Sequence, residues 1–261
     1  MNSLKNNTFV EHFLLGNNII GPVGGKAIGD FLLNEHQAKI KTWYVAGNDL
    51  NHEGIKWICD GLKFDTDCFN LWLKRNPLKP EGIKHVSNLL KINKYIKILD
   101  LHNTAVMNEG VKYLVDGLKE NRTLRHLYLD ANGITSQGVE YLIEYFEYLI
   151  LNDLEGISSF WLDMNNIGDD STIKLVNVLG KYKYLIRLNL GSCGLTEKSM
   201  ESIVDAFSTH TNLIVLDLGM YKSTSDMGLV TNNMGDQGIQ ILSKLIESNK
   251  SIQYLSVMMN G

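Results

Sequence analysis

Leu124-Arg125-His126-Leu127-Tyr128-Leu129-Asp130-Ala131-Asn132-Gly133-Ile134 alternates apolar with polar residues and then breaks into a turn. Leu127 and Leu129 are two apart, the period of a strand with one buried face. Asn132 and Gly133 end that strand. Beyond Thr135-Ser136-Gln137-Gly138 the period changes: Leu142 and Phe146 are four apart, the inner stripe of a helix that runs back. One strand, one turn and one helix therefore fit into a single step of the chain.

The step recurs. With Asn132 as origin, equivalent positions fall at Asn18, Asn48, Asn76, Thr104, Asn165, Cys193, Asn232 and Asn260, most of them 28 residues apart. Five and three residues before the origins stand apolar pairs: Phe13 and Leu15, Trp43 and Val45, Leu71 and Leu73, Leu99 and Leu101, Phe160 and Leu162, Leu188 and Leu190, Leu255 and Val257. Eight before is an apolar or small residue, such as Ile40, Cys68, Ile96 and Ile157, and two after is Leu50, Leu78, Val106, Ile134, Ile167 or Leu195. Six after comes Gly24, Gly54, Gly82, Gly110, Gly138 or Gly238, where a helix start must pack close to its neighbour. The run Gly21-Pro22-Val23-Gly24-Gly25-Lys26 belongs to this series, and its spacing is not that of a phosphate loop.

The pattern LxxLxLxxN/CxL resembles the leucine-rich repeat family, and its 28-residue step with a full helix resembles the ribonuclease-inhibitor-like subfamily. The match runs from about Thr8, the expected start of the first strand, to Gly261. The resemblance implies an α/β fold: a right-handed horseshoe-shaped solenoid, with a parallel sheet on the concave face and helices on the convex one. Residues 1–261 would then form a single domain of about nine repeats, the first and last incomplete. Two copies depart from the pattern. Thr104 replaces the origin Asn, and the copy with Leu213, Leu216 and Leu218 expects its origin at Tyr221 but resumes only at Asn232. The excess is an insertion, the 219–231 loop, at the C-terminal end of a strand, where binding residues often sit.

Charge and composition narrow the function. A net charge of −4 argues against a nucleic-acid partner, which calls for a basic stripe. No run reaches the roughly 20 apolar residues of a membrane helix, and Met1 to Asn7 lacks the apolar core of a signal peptide. Cys59, Cys68 and Cys193 are expected to be reduced and structural. The sequons at Asn6, Asn121 and Asn249 read as accidents of an Asn-rich chain. The expected setting is cytoplasmic, or the cytosol of a host into which a bacterial effector is delivered.

Because strand neighbours alternate faces, residues between the paired apolar slots point away from the helices. In order they are Leu14, Tyr44, Trp72, Asp100, Tyr128, Trp161, Asn189, Asp217 and Ser256. Two further on lie Lys74, His102, Asp130 and Asp163, and Arg75 precedes the origin Asn76. Exposed aromatics rimmed by charge have the composition of a protein-binding hot spot. The expectation is a non-enzymatic scaffold, without metal or cofactor, that grips a protein partner through Tyr44, Trp72, Arg75, Asp100, His102, Tyr128, Asp130, Trp161, Asp163 and Tyr221. Two alternatives stand beside it, the first implied by the resemblance, since ribonuclease-inhibitor-like repeats also occur in GTPase-activating proteins. A regulatory repeat protein of the GTPase-activating type would use Arg75, and a metal-site enzyme would use His102, Asp130 and Asp163. Trp43, in an apolar slot, is expected in the core, and the origin asparagines are expected to bond the backbone of adjacent repeats. The polar caps that solenoids need are not evident at either end, which suggests a homodimer through a terminal repeat.

Overall fold

The computed structural model describes residues 1–34, 37–220 and 230–260. Contacts divide the chain into two compact units, 1–128 and 129–261.

The first unit holds strands β1 (His12–Leu14), β2 (Thr42–Tyr44), β3 (Asn70–Trp72), β4 (Ile98–Asp100) and β5 (His126–Tyr128). Helices α1 (Gly21–Leu33), α2 (His52–Leu62), α3 (Lys79–Ile92) and α4 (Met107–Leu118) connect them. Each strand pairs in parallel with the next, and Phe13, Trp43, Leu71, Leu99 and Leu127 fall in one register. β1 is shorter than the expected Thr8–Leu15, because the apolar slot eight before the origin lies in the return loop instead. Ile40, Cys68 and Ile96 fill the core from there, none more than 3% exposed. Trp43 is fully buried, with Phe13 and Phe31 packed edge-on at 5.4 and 6.1 Å. The run Gly21 to Lys26 opens α1, and Gly25 is required by packing: a Cβ there would stand 2.6 Å from the carbonyl oxygen of Gly54 on α2.

The second unit repeats the plan with β6 (Ser159–Trp161), β7 (Arg187–Asn189), β8 (Val215–Asp217) and β9 (Tyr254–Ser256), again parallel in sequence order. Its helices are α5 (Ser136–Leu151), α6 (Gly168–Leu179), α7 (Met200–Phe207) and α8 (Gly235–Ser248). α5 absorbs the longer repeat, running 16 residues against 12 for α4. Leu142 and Phe146 face inward and are buried, and Phe146 packs against Phe160 and Tyr182 at 5.9 and 5.3 Å. No helix among the described residues is long and apolar enough to cross a membrane.

The origin residues form the expected ladder. In the first unit the Asn76 side-chain oxygen accepts the N–H groups of Asn48 and Leu50 (2.9 and 3.0 Å), and its amide donates to Val45 O and Leu73 O. In the second, Asn165 accepts from Asn132 and Ile134 N–H, both at 3.0 Å, and donates to Leu129 O and Leu162 O at 2.9 Å. Asn232 does the same for Cys193 and Leu195. Cys193 itself keeps part of the pattern, its thiol donating to Leu162 O at 3.3 Å. All three cysteines are buried and free, and burial pushes their thiols well above the usual range.

Candidate partner-binding faces

On the strand face of the first unit, Tyr44, Trp72 and Tyr128 are half-buried and stand in a row. Their rings are 6.1 Å (Tyr44–Trp72) and 5.8 Å (Trp72–Tyr128) apart, each pair tilted by 38°. Trp72 reaches Tyr128 across β4 because the intervening residue, Asp100, is short and only 2% exposed. The Asp100 carboxylate turns back to accept the His102 backbone N–H at 2.9 Å. Burial pushes its pKa above the carboxylate range, against the pull of the nearby Lys74, His102 and Arg75. Lys74 lies over two of the rings, its Nζ 5.5 Å from Tyr44 and 5.7 Å from Trp72. Arg75 is exposed, takes a left-handed backbone (φ 58°) and donates to Asn17 Oδ1 at 3.2 Å.

The face of the second unit uses the same positions differently. Trp161 is half-buried, with the Arg187 guanidinium 5.1 Å above its ring. Asp130 and Asp163, expected at an accessible rim, are instead 5% and 1% exposed. The reason is local. Asp130 accepts the Asp163 backbone N–H at 3.0 Å, and Asp163 accepts that of Gly191 at 2.5 Å. Burial, and the charge of Asp130 next to it, push the Asp163 carboxyl well above its ordinary pKa. Asp100 is likewise buried in the first unit, so three of the expected rim carboxylates lie under the surface, bonded to backbone. Tyr221 and most of the 219–231 loop lie outside the described residues. Among the described residues no three His, Cys, Asp or Glu side chains are placed to share a metal.

A second ladder, eleven residues before the origins, is not visible in the apolar pattern. Asn93 donates to Leu62 O and Asp65 O while accepting the Tyr95 and Ile96 N–H groups. Asn121 and Asn249 repeat this arrangement and are 2% and 8% exposed, so two of the sequons are structural. His210 fills the place with an imidazole: Nδ1 accepts the Asn212 and Leu213 N–H groups and Nε2 faces Tyr182 O at 3.2 Å. The spacing of Asn93 and Asn121, 28 residues, is the signal that marks this ladder in the sequence.

The strand–turn–helix step, its buried apolar slots and its asparagine ladder are thus all present. A family model described as Leucine Rich repeat matches residues 120–142, the step quoted at the outset. The fold is that of a leucine-rich repeat protein. A 69-residue part of it, 26% of the chain, is 33% identical to "Centrosomal protein of 78 kDa" from Xenopus tropicalis. That match spans 10% of the relative's length. Among solved structures, the tropomodulin C-terminal domain of Caenorhabditis elegans aligns over 63% of this chain and 93% of its own, with 12% identity and a TM-score of 0.46. A yeast complex of Rad7 and Elc1 aligns over 92% and 67%, with 15% identity and a TM-score of 0.44. Leiomodin-1 Actin-Binding Site 2 aligns over 80% and 82%, with 13% identity and a TM-score of 0.38.

Proposed function

We propose that this leucine-rich repeat protein is a non-enzymatic scaffold that recognises a partner protein through the strand face of its first unit. One observation carries the reading. Tyr44, Trp72 and Tyr128 form a continuous aromatic row although Trp43, Leu71 and Leu127, one residue earlier, already fill the core. Rings held in place by the sheet lose little entropy on binding and offer a large apolar area. Trp161 and the 219–231 loop with Tyr221 are proposed as additional contacts. The proposed setting is a cytosol, the cell's own or a host's.

The test is capture of a partner by the wild-type chain, followed by affinity measurement on the purified pair. Truncating a central aromatic anchor typically costs about 2 kcal/mol or more. Trp72→Ala should therefore weaken binding by roughly thirtyfold and leave the urea midpoint almost unchanged. Binding that survives Trp72→Ala and Tyr128→Ala but is lost on substituting exposed helix residues such as Glu109 would overturn the proposal.

A further inference from the structure

We infer that the segment fitting the first unit's face is an extended, acidic peptide of a partner protein, laid across the strands. Its alternate side chains would rest on Tyr44, Trp72 and Tyr128, and its carboxylates would meet Lys74 and Arg75. The inference rests on the recognition reading above and adds the chemistry of the partner.

The face has donors to spare. Among the described residues no carboxylate lies within ion-pair distance of Lys74 or Arg75, whereas Lys26, Lys41, Lys56, Lys63 and Lys91 of the same unit each meet one. Among the described residues the Arg75 guanidinium bonds the neutral amide of Asn17 alone. The Tyr44 hydroxyl and the Trp72 indole N–H, on the same half-buried rings, donate to no described acceptor. Of Leu14, Tyr44, Trp72, Asp100 and Tyr128, the outward residues of this unit's strands, Asp100 alone is a carboxylate. It is 2% exposed and bonded to the His102 N–H; it attracts Lys74 and Arg75 through space but forms an ion pair with neither. A chain of net charge −4 therefore presents a cationic, donor-rich face here. Complementary charge raises association rates and excludes partners of the wrong sign.

The spacing selects an extended chain. Ring separations of 6.1 and 5.8 Å are close to the roughly 6.6 Å between alternate side chains of a strand. A single-stranded nucleic acid also stacks on aromatics beside cations, but it needs a basic groove that tracks many phosphates. Two cations without an ion-pair partner among the described residues suit a short acidic peptide better.

The experiment is selection of a displayed library of random twelve-residue peptides on the full chain. Enriched peptides are then measured at low and high salt on wild type, Trp72→Ala, Lys74→Glu and Lys74→Arg, with oligouridine RNA as competitor. Peptides rich in Asp and Glu should enrich, and their binding should weaken as salt rises. Trp72→Ala should weaken them about thirtyfold and Lys74→Glu about tenfold, with Lys74→Arg within about threefold of wild type. Enriched peptides that depend on Trp72 but are neutral or basic would overturn the acidic assignment and leave the recognition reading standing. Displacement of those peptides by oligouridine at lower concentration would overturn both, since the face would then prefer a nucleic acid to a protein segment. Failure to enrich any peptide whose binding depends on Trp72 would overturn both.

Discussion

The strand faces of the two units are built on one backbone plan and use it for opposite ends. In the first, three aromatic rings stand in a row with Lys74 over two of them, and among the described residues no carboxylate pairs with Lys74 or Arg75. In the second, Trp161 is already stacked against Arg187, and Asp130 and Asp163 are folded back onto backbone N–H groups. Outward positions of a repeat are thus not equivalent merely because they point the same way. A short acidic side chain can dip under its neighbours and act as a brace, while a bulky ring cannot and stays available. The comparison separates side chains that brace the backbone from those that present ring area outward.

The strongest way to break it lies within the first unit. Trp43→Ala should cost about 3–5 kcal/mol in urea unfolding, since it empties a fully buried ring site, whereas Trp72→Ala should cost less than about 1 kcal/mol. Similar values for both would show that the outward row is core after all. Trp43→Phe sharpens the point. The buried indole N–H of Trp43 has no hydrogen-bond partner, so its removal relieves a penalty and the loss should be well below that of the alanine.

Next come the braces. Asn76→Ala and Asn165→Ala should each cost about 1–3 kcal/mol, because each strips two buried backbone N–H groups of their acceptor. A melting-temperature change no larger than that of a surface Lys→Ala would count against the ladder as a source of stability. Asp163→Asn should act with the opposite sign at neutral pH. Its folded pKa is raised above the unfolded value, so the folded state holds the proton more tightly. Stability on this account falls as pH rises from the ordinary carboxylate range through the folded pKa. The amide keeps an acceptor for Gly191 without the charge, so urea midpoints should exceed wild type at pH 7 and converge with it toward pH 4.

The smallest expected effect concerns His210, whose folded pKa is lowered by burial and whose Nδ1 must stay unprotonated to accept two N–H groups. Its contribution is present above the unfolded pKa of about 6.5 and is lost as pH falls through the folded value. His210→Asn installs the residue of the equivalent ladder positions. It should be near neutral at pH 7 and flatten the loss of stability below pH 6.5 in a thermal-melt series; an unchanged acid profile would remove His210 from that role.

The repeat was legible because burial imposes one residue class on each inward slot, so Leu, Ile, Val, Phe and Trp recur at fixed spacing. The aromatic row was legible for the converse reason: with the inward slots filled, Tyr44, Trp72 and Tyr128 had to face outward. The depth of Asp100, Asp130 and Asp163 was not legible. Alternation gives the side of the sheet, not whether a short side chain finds a backbone N–H beneath its neighbours. The second ladder was hidden by chemistry, since Asn93, Asp65 and His210 meet the same backbone demand with different groups.

Both ladders point one way along the chain. Asn76 fastens Val45, Asn48 and Leu50 of the repeat before it, Asn121 fastens Leu90 and Asn93, Asn232 fastens Leu190 and Cys193, and Asn249 fastens Phe207 and His210. Each repeat is therefore latched by its successor and latches its predecessor. Release of a later repeat within a unit is therefore expected to leave the earlier turn without its side-chain partner. Amide exchange that begins in the later repeats of a unit and spreads to the earlier ones is the expected outcome, like a row of clasps undone from the far end.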